Sequence, residues 1–371
     1  MEKQIMEMKE FGALISKLTR KENLNKEECE RAFLSLLKNE QTDMQQGAFL
    51  SALTTKGETI QEMAACWNAI YEIDTVKPEG LSELLLVDNS GTGMDTFKTF
   101  NISTGASIIA AAAGVIMGKH GSRALSSMCG TIDVLESLGL DVEGEPELVA
   151  QSIKNTGIGV FNGMSPRVHP QALGRILSQI AFGTILNISA SLANPVLPKY
   201  AVRGVYQKEM LIPVAELMRE IGYKKALVVF GEAEGYELGM DEASTIGKTH
   251  IARLHEDGTI SEYQFIPEDF GIKRGDPNVI KPLNNKEEEA LRLIKILNGI
   301  DKGSSRDIVC LNSALIFELM GLSNNIQEGY ELANKMIDSG KAYEKLYEWV
   351  RHQNADDSGI KKLESLHAMA N

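Results

Sequence analysis

Between an apolar run, LLLVD at 84–88, and an alanine-rich stretch, GASIIAAAAGVIMG at 105–118, the chain places SGTGMDTFKTFNIST, a turn crowded with glycine, hydroxyl and amide groups. A short apolar run ending in polar residues suits a buried parallel strand, and small residues beyond it let a helix lie close on a sheet. This junction constrains the fold most, because a strand, a tight turn and a helix in that order call for an α/β domain. Later segments continue the alternation. GIGVFN (157–162) and KALVVFG (225–231) read as strands, KEMLIPVAELMREIG (208–222) as a helix, and HIARLHEDGTISEYQF as a hairpin turning at Asp257 and Gly258.

Both ends of the chain read differently. Residues 5–75 have helical periodicity, with Asn25 and Glu28 spaced as a capping box, and VKPEG at 76–80 marks the change of pattern. Four helices are expected in the C-terminal third, and the polar tail after Arg351 is expected to fray. A length of 371 residues suits two domains. The net charge of −13, spread without an acidic block, repels phosphate backbones and argues against nucleic acid, whereas a small anion can still be held in one cleft by a few cations and N–H groups. Cys29, Cys66, Cys129 and Cys310 have neither metal-ligand nor redox spacing and read as buried thiols. The N-terminus lacks a signal-peptide core and no apolar run reaches membrane-spanning length, so a cytoplasmic protein is expected.

Three polar clusters carry the chemistry. In the first, Gly91 and Gly93 allow positive φ and close ligand approach, while Asn101, Ser103 and Thr104 stand where a helix begins and its N–H groups are unpaired. That is a cradle for phosphate, although ordinary helices also begin this way. It matches neither the dinucleotide GxGxxG pattern nor a P-loop. The second, GKHGSRALSSMCGTIDVLESLG at 118–139, offers Lys119, His120, Arg123, Ser126, Ser127, Gly130 and Thr131 to the oxygens of a phosphorylated sugar; a solvated loop is the alternative. With no second histidine at ligand spacing, His120 reads as a positioning group. In the third, GYELGMDEAS at 235–244, the adjacent carboxylates Asp241 and Glu242 are hard ligands suited to Mg2+, or else an exposed acidic turn.

In this order, GTG-x-D, NIST, KHG-x-R-x-x-SS, NISASLANP, GVYQKEMLIPVAE, GMDE, RDIVCLNSALIFELMG and IDSGKAYEKL resemble the anthranilate phosphoribosyltransferase family from about Phe11 to Val350. The resemblance implies a small all-helical domain (1–78 with an insertion near 172–205) and a larger α/β domain (79–171 and 206–355) whose mostly parallel central sheet is flanked by helices, followed by a polar tail (356–371). It implies transfer of phosphoribosyl from phosphoribosyl pyrophosphate (PRPP) to the amine of anthranilate, with Mg2+, in a homodimer joined through the helical domain. Gly91, Thr92, Gly93, Asp95, Thr99, Asn101, Ser103, Thr104, Lys119, His120, Gly121, Arg123, Ser126, Ser127 and Thr131 would then meet the donor. Ser103, Asp241 and Glu242 would serve the metal, and Gly91, Ser122, His169 and Arg175 the aromatic acceptor.

Some residues depart from the family pattern. Met94 stands for a glycine, Ser122 for an asparagine and Met128 for a lysine, while Ala190 and Ser191 replace a Gly-Pro pair. Leu177 and Ser178 occupy the positions of an arginine pair, one of which holds the acceptor carboxylate in the family; Arg175 or Arg167 would have to take its place. Three alternatives follow: a phosphoribosyltransferase with another aromatic acceptor, a nucleoside phosphorylase of the same fold, or a non-catalytic nucleic-acid-binding homologue.

Overall fold

The computed structural model describes residues 6–92, 95–123, 129–180 and 182–370. Helices α1 (Met8–Thr19), α2 (Lys26–Leu37), α3 (Asp43–Lys56) and α4 (Ile60–Asp74) come first. Then follow β1 (Leu86–Ser90), α5 (Ile102–Ala112), β2 (Ile116–Gly121), α6 (Thr131–Ser137), α7 (Pro146–Thr156) and β3 (Ile158–Asn162). Two short helices, α8 (Leu173–Ile180) and α9 (Ile185–Leu192), precede β4 (Tyr200–Gly204), α10 (Leu211–Glu220), β5 (Lys225–Ala233), β6 (Leu238–Met240), β7 (Thr249–Leu254) and β8 (Ile260–Phe265). The chain ends with α11 (Lys286–Leu297), α12 (Ser304–Met320), α13 (Ile326–Asp338), α14 (Lys341–His352) and α15 (Ser358–Ala370).

Two compact units emerge, Met1–Lys77 with Gly163–Leu197, and Pro78–Asn162 with Pro198–Asn371. In the helical unit α2 and α4 start at the capping boxes Asn25/Glu28 and Thr59/Glu62. Phe11, Phe33 and Phe49 meet in its core, with ring centroids 5.1 and 5.5 Å apart. What joins the two sequence segments is a set of directed bonds. The fully buried Asp74 carboxylate accepts the N–H groups of Gln171, Ala172 and Leu173 at 2.5, 3.1 and 2.8 Å, capping the start of α8. Trp67 Nε1 donates to the Leu192 carbonyl at 2.9 Å, and Ser189 Oγ to that of Met63 at 3.1 Å. The insertion expected near 172–205 therefore runs from Gly163 to Leu197. Asp74 claims the backbone of the HPQ segment for the helices, whereas Tyr200–Gly204, assigned from sequence to the insertion, pairs in the sheet.

The second unit is an α/β domain. Its sheet has the strand order β3-β2-β1-β4-β5-β7-β8, with β6 also on β5; β1 to β5 run parallel, and β6, β7 and β8 pair antiparallel. From β1 the chain winds to β2 and β3 on one side and to β4 and β5 on the other, so right-handed crossovers place their helices on opposite faces. Val87, Met117, Val160, Val202, Leu227 and Val229 bury against neighbours that include Ile108, Ile109 and Val309. The alanine-rich stretch does not remain helical through to the KHG motif. Gly114, with φ +97°, ends it, and residues 116–121 return as β2.

The tail also differs from expectation. Residues 358–370 form α15 with Leu363 fully buried, and Gly359 packs so closely on Gly139 that a side-chain carbon at either would strike the other's carbonyl. Its polar residues are only an outward face. Replacing Asp74 with Ala should orphan three N–H groups and cost the helical unit roughly 3 kcal/mol, read by chemical denaturation; a loss below about 1 kcal/mol would show that water replaces the carboxylate.

Candidate phosphate- and metal-binding site

Strand β1 ends where the sheet reverses direction, with β2 on one side and β4 on the other. In open α/β sheets this switch point leaves a crevice beyond the strand ends. Gly91 and Thr92 enter it directly, and the loop after β6 brings Asp241 and Glu242 down onto the same strand ends. The seat is made of absent side chains. A Cβ on Gly91 would overlap the Asp241 carboxylate, one on Gly204 at the end of β4 the Asp241 backbone, and one on Gly231 in β5 the Glu242 carbonyl. The sequence suggests Gly91 for positive φ and for close ligand approach; its φ is not in the positive region, and the close approach it allows here is that of the Asp241 carboxylate.

Hydrogen bonds join the turn to the acidic loop. Thr92 Oγ1 donates to Asp241 Oδ2 at 3.4 Å and Thr99 Oγ1 to Glu242 Oε2 at 3.3 Å. The N–H groups of Thr96 and Phe97 both reach the Gly239 carbonyl, at 3.1 and 2.9 Å. Asp95 lies here too, buried, with Lys98 Nζ 3.1 Å from its Oδ1. Burial and then the Asp241 charge raise the Asp95 carboxyl to about 6, while burial, Asp241 and Asp95 push Glu242 well above the usual carboxylate range. Crowded, buried carboxylates of this kind are relieved by a cation.

Helix α5 supplies the other wall. Its first-turn N–H groups, including those of Ser103 and Thr104, have no partner within the helix. Thr104 is fully buried and its Oγ1 has no hydrogen-bond partner among the described residues. Asn101 occupies the N-cap position, but its Nδ2 donates to the Cys129 carbonyl at 3.3 Å, tying the turn to the loop before α6. The Ser103 carbonyl accepts from Asn89 Nδ2 at 3.0 Å and from Ser107 Oγ at 2.7 Å.

The second cluster is only partly assembled as the sequence suggests. Gly121 passes close to Thr131, whose Cγ2 lies 3.0 Å from where a Cβ would stand, and Ser122 is exposed beside it. His120 is buried, its N–H donating to Asp88 Oδ1 at 3.4 Å. Two cations have protein partners in this structure. Lys119 is 1% exposed and its ammonium meets the Asn89 carbonyl and, at 3.1 Å, Ser107 Oγ, so it supports the turn from beneath. Burial brings it down to about 8, against the pull of Asp88. Arg123 is directed to carboxylates of Asp133, Glu136 and Glu143 at 3.0 to 3.3 Å, which hold its proton more firmly than usual. Gly93, Met94, Ser126, Ser127 and Met128 lie outside the described residues.

His169 and Arg175, expected at the acceptor, belong to the helical unit and have structural duties there. His169 is buried with Nδ1 2.7 Å from the Asp74 carbonyl, and burial lowers its pKa. Arg175 donates to Gln46 Oε1 at 3.0 Å and to the Leu36 carbonyl at 3.1 Å, packing α8 on α3 and α2. Sequence reasoning missed Asp88 and Arg203 beneath the turn. Their signal was available: a lone arginine in the apolar stretch AVRGV, and a carboxylate closing LLLV.

Residues 83–343 match the a/b domain of a glycosyl transferase family, and residues 13–72 match its helical bundle domain. The anthranilate phosphoribosyltransferase of Methanococcoides burtonii is 38% identical over 340 residues, 91% of this chain and 92% of its own length. That of Petrotoga mobilis is 35% identical over 344 residues, 93% of this chain and 97% of its own. The crystal structure of anthranilate phosphoribosyltransferase from Thermus thermophilus matches with a TM-score of 0.82 at 32% identity, covering 92% of this chain and 99% of that one. The Saccharomyces cerevisiae enzyme, in complex with PRPP and Mg, shares the fold at a TM-score of 0.82 and 24% identity, over 94% of this chain and 99% of its own.

Gly91→Ala should displace the Asp241 loop while leaving the sheet folded. Calorimetric titration with Mn2+ and inorganic pyrophosphate together should then show binding weakened about tenfold or more; unchanged binding would mean the loop can retreat without cost.

Proposed function

Since the chain belongs to the anthranilate phosphoribosyltransferase family of glycosyl transferases, we propose that it transfers the 5-phosphoribosyl group of PRPP to the amine of anthranilate, releasing pyrophosphate. The observation that carries this reading is the seating of Asp241 and Glu242 on the glycine turn, with Thr92 and Thr99 bonded to them. In the reaction the bond from the ribose anomeric carbon to the pyrophosphate oxygen breaks and its electron pair leaves with pyrophosphate. The anthranilate nitrogen forms the new bond with its lone pair and gives up a proton.

The chain's part is positioning and charge stabilisation. N–H groups of Gly91 and Thr92 and of the first turn of α5 at Ser103 and Thr104 are read as donors to phosphate oxygens. Thr99, Asn101, Gly121 and Thr131 frame the sugar, with His120 as a positioning group, and Ser122 faces the acceptor. Asp95 shares the anionic wall with the acidic pair. These groups need no covalent nucleophile, and the four cysteines are buried free thiols; Cys29, Cys129 and Cys310 are pushed up to about 12 by burial.

Asp241, Glu242 and the Ser103 hydroxyl are oxygen donors of the type Mg2+ takes, and the crowding of Asp241, Glu242 and Asp95 favours a cation there. Among the described residues no three His, Cys, Asp or Glu side chains form a ready metal cage, which suits an ion completing its shell with water and phosphate. When bound, the ion supplies charge neutralisation on the departing pyrophosphate.

No helix among the described residues is long and apolar enough to cross a membrane. A cytoplasmic enzyme of tryptophan biosynthesis is the reading that agrees with the free thiols. The helical unit is read as the dimer surface because Met8 on α1 and Met44 on α3 stand 60% and 84% exposed. Sedimentation should give twice the chain mass, falling to one with Met44→Glu; a wild-type monomer would remove this reading.

Purified protein should consume anthranilate, followed by its fluorescence, only when PRPP and Mg2+ are both present, and should complement a tryptophan auxotroph. Chelation should stop turnover, and Asp241→Asn should lower it about 10²-fold. Donor binding without anthranilate consumption would reject the acceptor; no donor binding at all would reject the transferase.

A further inference from the structure

Immediately before the glycine turn, three adjacent parallel strands share a buried polar network. Asp88 on β1 is 2% exposed; its Oδ2 accepts from Ser90 Oγ at 3.2 Å and its Oδ1 from the His120 N–H of β2 at 3.4 Å. Ser90 Oγ in turn accepts from Arg203 Nη1 at 2.8 Å. Arg203 is 1% exposed and is the register partner of Ser90 across the β1–β4 ladder. The hydroxyl thus has one orientation, with its oxygen toward the guanidinium and its hydrogen toward the carboxylate. Beside it Lys119 holds the Asn89 carbonyl.

Such a network is costly. A guanidinium and a carboxylate lose their hydration when buried, and apolar residues of similar size are often as stabilising. Its position gives it a use. Gly91 has no side chain with which to fix its own direction, and glycine backbone is the most conformationally free. The direction must be set by its neighbours, Thr92 through Asp241 on one side and Ser90 on the other.

We propose that Arg203, acting through Ser90, is a positioning residue for the phosphoribosyl donor: it fixes the angle at which the Gly91–Thr92 backbone leaves β1 and so aims those N–H groups at the donor's phosphates. This rests on the transferase reading above. Arg203 touches no reacting atom. It acts on donor affinity, and the acceptor step does not depend on it.

Four variants separate positioning from stability, with PRPP affinity measured by calorimetry in Mg2+ and by KM. Ser90→Ala removes only the hydroxyl and should weaken PRPP severalfold with Tm lowered less than in Arg203→Met, because it orphans one Arg203 N–H and one Asp88 oxygen but keeps both charges. Arg203→Met should weaken PRPP about tenfold, with kcat within about twofold, the KM for anthranilate unaltered and Tm lowered, because the buried Asp88 carboxylate keeps the charge of Lys119 but loses that of the nearby guanidinium. The double variant Asp88→Asn/Arg203→Met should regain Tm but keep the weakened PRPP binding. Arg203→Lys, which cannot reproduce the planar fork, serves if Arg203→Met does not fold and should also weaken PRPP. Wild-type PRPP affinity in Ser90→Ala, or recovery of affinity together with Tm in the double variant, would overturn the proposal. Absence of PRPP binding by the unaltered protein would overturn the transferase reading first, and this proposal with it.

Discussion

The site exists because a loop can come within backbone contact of a sheet. Gly91, Gly204 and Gly231 follow, end and lie within three neighbouring strands, and at each a single added carbon would meet the Asp241–Glu242 segment. Contact at that range sets two carboxylates against the turn after β1. The sheet contributes more than a platform. Its strand order puts the reversal at β1, and the glycines turn that reversal into a shallow seat.

Charge is then layered on either side of this seat. Above it, Asp95 and Glu242 are buried beside Asp241, and burial together with its charge raises their cost of remaining ionised. Below it, Asp88, Lys119 and Arg203 are sealed under the strand ends. The lower layer is held by hydrogen bonds that run across β2, β1 and β4, so it is stiff. The upper layer is made of buried carboxylates at close quarters, so it is responsive. A phosphate ligand and its metal would arrive between a rigid floor and a wall whose ionisation they change.

Local signals in the chain were legible where their cause is local. The Asn25/Glu28 cap, the Asp257–Gly258 hairpin and the strand before the glycine turn each depend on a few consecutive residues. The meeting of Asp241 with the turn was legible too, because family resemblance and donor chemistry pointed to the same pair. Partner choice for long cations was not. Arg123 has phosphate-binding chemistry, but α6 and the loop beyond it bring three carboxylates to it, and no spacing reveals that. Arg175 could be placed on a helix, yet its bonds to Leu36 and Gln46 depend on the bonds of Asp74, Trp67 and Ser189 that join residues 163–197 to the N-terminal helices. Strand β4 was hidden for a related reason, since a buried arginine interrupts an otherwise apolar run and its compensation lies on another strand.

The chain order of the sheet has a further consequence, for biogenesis. Strands β3, β2 and β1 are complete before the helical insertion is made, but the neighbour on the other side of β1 is β4, which follows it. At ribosomal elongation rates the far edge of β1 stays bare for on the order of ten seconds, an uncapped ladder of backbone donors and acceptors on an apolar half-sheet. The nascent polypeptide therefore has a defined interval of vulnerability, bounded by emergence of Ser90 and of Gly204, in which chaperone protection matters most.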